Sequence, residues 1–201
     1  MAILKIARMG HPVLHGVAEK VDDPTDPEIA VLVEDMIDTL EDARGIGLAA
    51  PQVHVPKRVV IFFVPLGRGR VQDEGESDYD EEDESMEELT VMINPEIEPI
   101  DDAVEVDWEA CLSVPDLMGA VSRHARIRYR WSDLHGESHE RNASGFHARA
   151  VQHECDHLDG MLYPMRMPDL KFLGFAQETE QNLPMMRAGR QFAESKSEDD
   201  S

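Results

Sequence analysis

The first strong periodicity in the chain follows Pro24-Thr25-Asp26-Pro27, where Ile29, Leu32, Val33, Met36, Ile37 and Leu40 recur at three- and four-residue intervals with acids between them. Asp26 can cap and Pro27 can open the helix, because a first-turn residue has no use for an N–H. The spacing predicts an amphipathic helix over residues 28–44, with Gly45 as its stop. The pattern then changes. Residues 45–52, GIGLAAPQ, read as a close-packed loop or short extended segment, and residues 59–64, VVIFFV, as a strand. Residues 90–97, 103–109, 120–122, 127–131 and 137–142 carry β-branched or alternating residues bounded by Pro, Gly and Asp. These short units predict small antiparallel sheets, not βαβ crossovers. A second helix is predicted from Ser144, as cap, to about residue 159 ahead of Gly160, with Phe146, Ala150, His153 and His157 on one face. A third is predicted from Pro168 to about Asn182, before Pro184. The fold class is therefore α+β: small antiparallel sheets packed around a central helix, with an N-terminal and a C-terminal helix.

Composition sharpens this picture in one respect, the placement of charge. At 201 residues, with 41% hydrophobic and 30% charged residues, residues 1–201 fit one globular domain. The net charge of −23 is uneven: positions 71–88 hold eleven acids and no Lys or Arg, and positions 194–201 hold four acids and one Lys. Segment 67–88 is too polar to offset its own ordering entropy and reads as a mobile, solvated insertion, and 194–201 as an acidic tail. These two stretches carry more than half of the net charge. Nothing resembles the basic footprint that a nucleic acid requires. No apolar run approaches the roughly 18–20 residues needed to cross a bilayer. The start, MAILKIARMGHP, lacks a small-residue cleavage site, so it does not read as a secretory signal. With Cys111 and Cys155 the only cysteines, a disulfide framework is not expected, and a reducing compartment, the cytoplasm, is.

The chemistry concentrates in His153-Glu154-Cys155-Asp156-His157, an H-E-x-x-H pattern inside a predicted helix. Four positions turn about 400° at 3.6 residues per turn, so both imidazoles reach one ion, while Glu154 lies about 100° round, placed to meet a water but not to ligate. On its own the pattern also fits two histidines satisfied in a core. Cys111, after a strand-like run, is the third donor that raises the metal reading; without the histidines a lone cysteine is a small inert hydrophobe. Cys155, at an x position, is read as packing. A thiolate with two imidazoles leaves one coordination position open, which suits a catalytic site and an activated water.

Three blocks now stand in order: GIGLAAPQ at 45–52, EACLS at 109–113 and QHECDHLDG at 152–160. Together they resemble peptide deformylase, which removes the N-formyl group from the initiator methionine of new polypeptides. The resemblance runs from about Ile6 to Met167, and the stretch 142–160 is closest to the branch that includes organellar and some bacterial enzymes. It implies Cys111, His153 and His157 as ligands of one Fe(II), replaceable by zinc or nickel, and Glu154 as general acid/base. It implies Gln52, through its side-chain amide, and Leu112, through its backbone N–H, as oxyanion donors, with Ile46 and Gly47 along the substrate groove. Met118, Phe146, Ala150 and Val151 are the expected walls of the substrate's side-chain pocket. The implied partners are N-formylmethionyl nascent peptides, with transient ribosome contact, in a bacterial cytoplasm in preference to an organelle.

Two features depart from the family. Ala110 stands where Gly is usual, which would narrow the groove or cost about 1 kcal/mol if the backbone needs φ > 0. The acidic insertion is also outside the pattern, and is expected to hang off the fold. A zincin-type endopeptidase shares H-E-x-x-H but needs a downstream ligand; no His follows His157, so Glu178 or Glu180 would have to serve. A catalytically inert scaffold is opposed by the intact Gln52, Cys111, His153, Glu154 and His157.

Overall fold

Helix α1 spans Pro27–Ala43, with Pro27 in its first turn and the Asp26 carboxylate accepting a hydrogen bond from the Glu28 N–H at 2.9 Å. This and all that follows comes from a computed structural model that describes residues 2–64 and 89–182. The insertion 67–88 and the tail 194–201 lie outside the described residues. α1 buries Ile29, Val33, Met36 and Leu40, as the periodicity predicts. Its end differs from expectation. The left-handed residue is Arg44, φ 52°, and not Gly45. Gly45 is needed for closeness: a Cβ there would stand 2.7 Å from Leu40 Cδ1 and 2.9 Å from Leu112 Cδ1.

Five strands form the first sheet: β1 (Gly47–Ala49), β2 (Val59–Phe62), β3 (Thr90–Pro99), β6 (Arg126–Ser132) and β7 (Ser138–Ser144). They lie in the order β1-β2-β3-β6-β7, every pair antiparallel. All four residues of β2 are buried because both of its faces are covered. Val59 and Ile61 pack with α1, whereas Val60 and Phe62 pack with Ala148, Val151, Cys155 and Leu158 of the second helix, α2 (Gly145–Leu158). A strand covered twice needs no polar alternation. The second sheet has the order β4-β5-β8, from β4 (Val104–Cys111), β5 (Val114–His124) and β8 (Leu173–Phe175). Its core is Val114, Val121, Leu162 and Tyr163. The described chain leaves at residue 64 and returns at 89, beside a row in which Gly47 pairs with Phe62 and Phe62 with Thr90. The inserted segment is thus rooted on the row that carries Gly47, although it is remote from the metal motif in sequence.

Three sequence expectations need correction. The strand expected at 120–122 is eleven residues long, concealed by Pro115, Asp116 and Gly119, which are poor strand formers. The helix expected from Pro168 is instead a 3-10 turn at Leu170–Phe172, then β8 pairing with β5, with helix only over 176–182 of the described chain. Gly174, a poor helix former, sits opposite Met118 in that pairing. Ser144 does occupy the cap position of α2, but its side chain makes no capping bond; Gly145, φ 55°, opens the helix.

α2 is also more deeply placed than its single apolar stripe suggests, being buried at every position from His147 to Leu158. Just beyond it, Gly160 has φ 72°, and a Cβ there would meet the His15 backbone at 2.7 Å. Left-handed geometry is costly with a side chain, by about 1–2 kcal/mol. Arg44→Gly is therefore expected to raise stability by a few tenths to about 1 kcal/mol in urea unfolding, the lower part of that scale allowing for glycine's extra unfolded-state entropy. Gly160→Ala should lower it by about 1–3 kcal/mol in the same measurement.

Candidate metal centre

The end of β4 and the middle of α2 bring a sulfur and two imidazoles together. Cys111 Sγ lies 3.3 Å from His157 Nε2, and the donor atoms of Cys111, His153 and His157 all lie within 4.8 Å of one another. The two rings are nearly perpendicular, with centroids 5.2 Å apart. Ligands of one tetrahedral ion at ordinary Zn–S and Zn–N lengths stand about 3.5 Å from each other, so the spacing fits a single ion. His153 donates from Nδ1 to Glu109 Oε2 at 2.8 Å, which leaves Nε2 free for a metal. His157 Nδ1 is buried with no hydrogen-bond partner among the described residues. Thiolate and imidazole are the donors that iron, zinc and nickel favour.

Glu154 sits beside this cluster, buried, with Oε2 unpartnered among the described residues. Burial pushes its carboxyl up to about 7; neighbouring His153 opposes the rise and Glu109 adds to it. A carboxyl that titrates near neutrality suits proton transfer. Its position depends on Gly47. A Cβ on Gly47 would stand 2.6 Å from Glu154 Cδ, so the acid lies against the bare backbone of β1. The two glycines of GIGLAAPQ therefore both serve side-chain packing, Gly45 for Leu112 and Leu40, and Gly47 for Glu154.

Gln52, on the 3-10 turn Ala50–Val53, is 1% exposed. Its Oε1 accepts from the Ala49 N–H at 2.8 Å, which fixes the amide so that Nε2 donates to Ser113 Oγ at 3.1 Å and faces Cys111 Sγ at 3.6 Å. Leu112 lies in the tight turn between the paired Cys111 and Val114, its side chain in the α1 cluster. The Ile46 carbonyl accepts from the Phe63 N–H at 3.0 Å. Ala110 is exposed and does not have positive φ, so the strain its presence could have caused is not there.

The expected pocket walls fare unevenly. Ala150 lies on α2 one turn before Glu154, Phe146 packs against the cluster under the first sheet, and Met118 lies on β5 opposite Ala110 and Gly174. Val151 is fully buried between α2 and the first sheet and cannot line an open pocket. Glu178 and Glu180, which an endopeptidase would need, are exposed and take no part in the Cys/His cluster. A cleft of about 590 Å³, lined by Arg58, Ile97, Arg123, His124, Gln152 and Asp156, includes none of Cys111, His153 and His157 in its walls.

Sequence reasoning missed the charged groups behind the histidine. Glu109 accepts from Arg123 and Arg149 as well as from His153, and Asp156 accepts from Arg123 and Arg166. Burial would raise the Glu109 carboxyl, but hydrogen bonds from Arg123 and His153 more than offset it and hold the group well below the usual range. The available signals were positional: Glu109 stands two residues before Cys111 on a strand, hence on its face, and Arg149 one turn before His153.

An α+β fold whose H-E-x-x-H helix meets a strand-borne cysteine beside a buried carboxyl has the donor set of the mononuclear metallohydrolase class. Residues 3–172 match the family model described as Polypeptide deformylase. Peptide deformylase 2 of Ralstonia nicotianae is 46% identical over 186 residues, 90% of this chain and 97% of that protein. Peptide deformylase 1 of Nitrosomonas europaea is 44% identical over 86% of this chain and 92% of its own length. Among solved structures, peptide deformylase from Ehrlichia chaffeensis matches with TM-score 0.73 and 32% identity, covering 85% of this chain and 90% of its own. The Met-Ala-Ser-bound class I type b enzyme of Acinetobacter baumannii matches with TM-score 0.69 and 34% identity, covering 83% and 99%. The chain belongs to the polypeptide deformylase family, enzymes that remove the N-formyl group from nascent polypeptides.

The Glu154 environment has a consequence for stability. Because its folded pKa of about 7 is raised above the ordinary 4.5, the neutral acid is favoured by folding; that contribution is complete below pH 4.5 and is lost as pH rises through 7. In metal-free protein, Glu154→Gln should match the parent below pH 4.5. Above pH 7 it should be more stable by something on the order of 3 kcal/mol, read from thermal melts across pH.

Proposed function

We propose that this chain hydrolyses the formamide bond of N-formylmethionyl peptides at the Cys111, His153 and His157 centre, releasing formate and a free amino terminus. The observation that carries this reading is the convergence within 4.8 Å of donor atoms separated by up to 46 residues, with a buried acid beside them. The Met-Ala-Ser bound to the Acinetobacter relative is the tripeptide that deformylation of formyl-Met-Ala-Ser would yield, which supports the substrate class.

The three side chains fit one divalent ion, which we assign as Fe(II), replaceable by zinc or nickel. When bound, it supplies Lewis acidity, making a water acidic and polarising the formyl carbonyl. Glu154 takes a proton from the attacking water and returns it to the departing nitrogen as the C–N bond breaks. Gln52 Nε2 and the Leu112 N–H donate to the oxygen on which charge develops, each worth about 3–4 kcal/mol. The Ala49 N–H holds the Gln52 amide in the donating orientation. Ile46 and Gly47 flank the substrate backbone, and Met118, Phe146 and Ala150 wall the methionine side chain. A substrate that is a nascent chain implies transient ribosome contact and a bacterial cytoplasmic setting. In the described residues no helix is long and apolar enough to cross a membrane.

Anaerobically purified, iron-loaded protein should release formate from formyl-Met-Ala-Ser. Glu154→Gln should lose activity by about 10²–10⁴-fold while retaining its metal by elemental analysis. An iron-loaded parent that releases no formate would refute the assignment. Gln52→Leu is expected to lower kcat by about 10²–10³-fold. Gly47→Ala should also lower kcat, because the added methyl displaces the Glu154 carboxyl, with metal content again unchanged.

A further inference from the structure

We infer that the cleft of about 590 Å³ lined by both sheets and α2 is a binding site for a small monocarboxylate with an apolar body. Its walls include none of Cys111, His153, Glu154 and His157, so the inference stands independently of the metal reading. Small-molecule sites commonly enclose roughly 300–1,000 Å³, and this cleft falls within that range. One wall is the end of β3, with Pro95, Ile97 and Pro99. That end follows a bulge between Ile93 and Glu96, where Asn94 has φ 52°, and a bulge bends its strand. A second wall is Val104 of β4 with Ser122 and His124 of β5, and α2 contributes Gln152 and Cys155.

Two arginines of the lining spend only part of their guanidinium on the protein. Arg58, with its side chain 15% exposed, donates from Nη1 to Asp159 at 2.7 Å and from Nη2 to the Pro95 carbonyl at 3.5 Å, while Nε makes no hydrogen bond among the described residues. Arg166 grips both oxygens of Asp156 through Nε and Nη2, at 3.1 and 2.7 Å, and its Nη1 makes none among the described residues. His124 Nδ1 is likewise buried without a partner among them. The planar N–H fork of a guanidinium matches a carboxylate. The charge count then selects the kind of anion. Arg58, Arg123 and Arg166 are balanced by Glu96, Asp156 and Asp159, so the lining has no surplus of positive charge with which to hold a dianion. A single negative charge, bonded by directed N–H groups, is what the walls accommodate. The apolar stretch of β3 and Val104, which is 58% exposed, gives a hydrocarbon body something to cover.

The probe is hexanoate, with hexanamide as its neutral counterpart and inorganic phosphate as the dianion, each titrated into isotope-labelled, zinc-loaded protein and followed by NMR. Hexanoate should shift the amide signals of Ile97, His124 and Gln152 saturably. Its affinity should exceed that of hexanamide or phosphate by about 10-fold or more, the size of one charge-assisted hydrogen bond. Arg166→Met should remove about 10-fold of hexanoate affinity and leave hexanamide unaffected. Asp156 keeps Arg123 as a partner in that variant, and the Arg166 side chain is 44% exposed, so the fold is expected to survive. Val104→Trp, at an exposed position, should obstruct the cleft and weaken both ligands. Equal affinities for hexanoate and hexanamide, unchanged hexanoate binding in both variants, or shifts confined to residues around Gln52 and Cys111 would each overturn the inference.

Discussion

The structure depends on one constraint: a helix buried on every side whose buried positions include His147, Arg149, Gln152, His153, Glu154, Asp156 and His157. Desolvating a charge costs several kcal/mol unless an opposite charge and hydrogen bonds replace the water. The second sheet meets that demand. Arg123 of β5 and Glu109 of β4 pair with Asp156, Arg149 and His153, and Gln152 bonds both the N–H and the carbonyl of His124. These partners determine where the second sheet stands against α2, and therefore where Cys111 ends.

Against so complete a set of partners, the exceptions are informative. Glu154 Oε2 and His157 Nδ1, both on α2 beside the Cys/His cluster, are buried without hydrogen-bond partners among the described residues, as are His124 Nδ1 and the Tyr163 hydroxyl. Burial raises the Glu154 carboxyl to about 7, whereas the Glu109 carboxyl, bonded by Arg123, Arg149 and His153, is held well below the usual range. Two buried acids are thus shifted in opposite directions, one by burial and the other by its partners.

The fold around α2 keeps the face with His153 and Glu154 narrow. β1 lies so close that only glycine fits at 47, and Gly45 admits Leu112, the residue next to Cys111. The Gln52 turn is fastened to the chain's beginning by the Ala7 N–H, and the Ser113 carbonyl accepts from Met9. Residues from 45–52 and 109–113 stand together against α2, so three short blocks far apart in sequence meet in one place.

Much of this was legible in the chain itself. Local periodicity defined α1 and α2, alternation and apolar runs located most strands, and the H-E-x-x-H spacing with Cys111 pointed to the three side chains that cluster, because helical and strand geometry repeat over a few residues. What tertiary structure alone decided was which charges are inside. Glu109, Arg123 and Arg149 look like surface residues in sequence, and their burial follows only from partners brought together across 14 to 44 residues. For the same reason residues 173–175 became a strand and not helix: the vacant edge of β5 supplied backbone partners that no local pattern records.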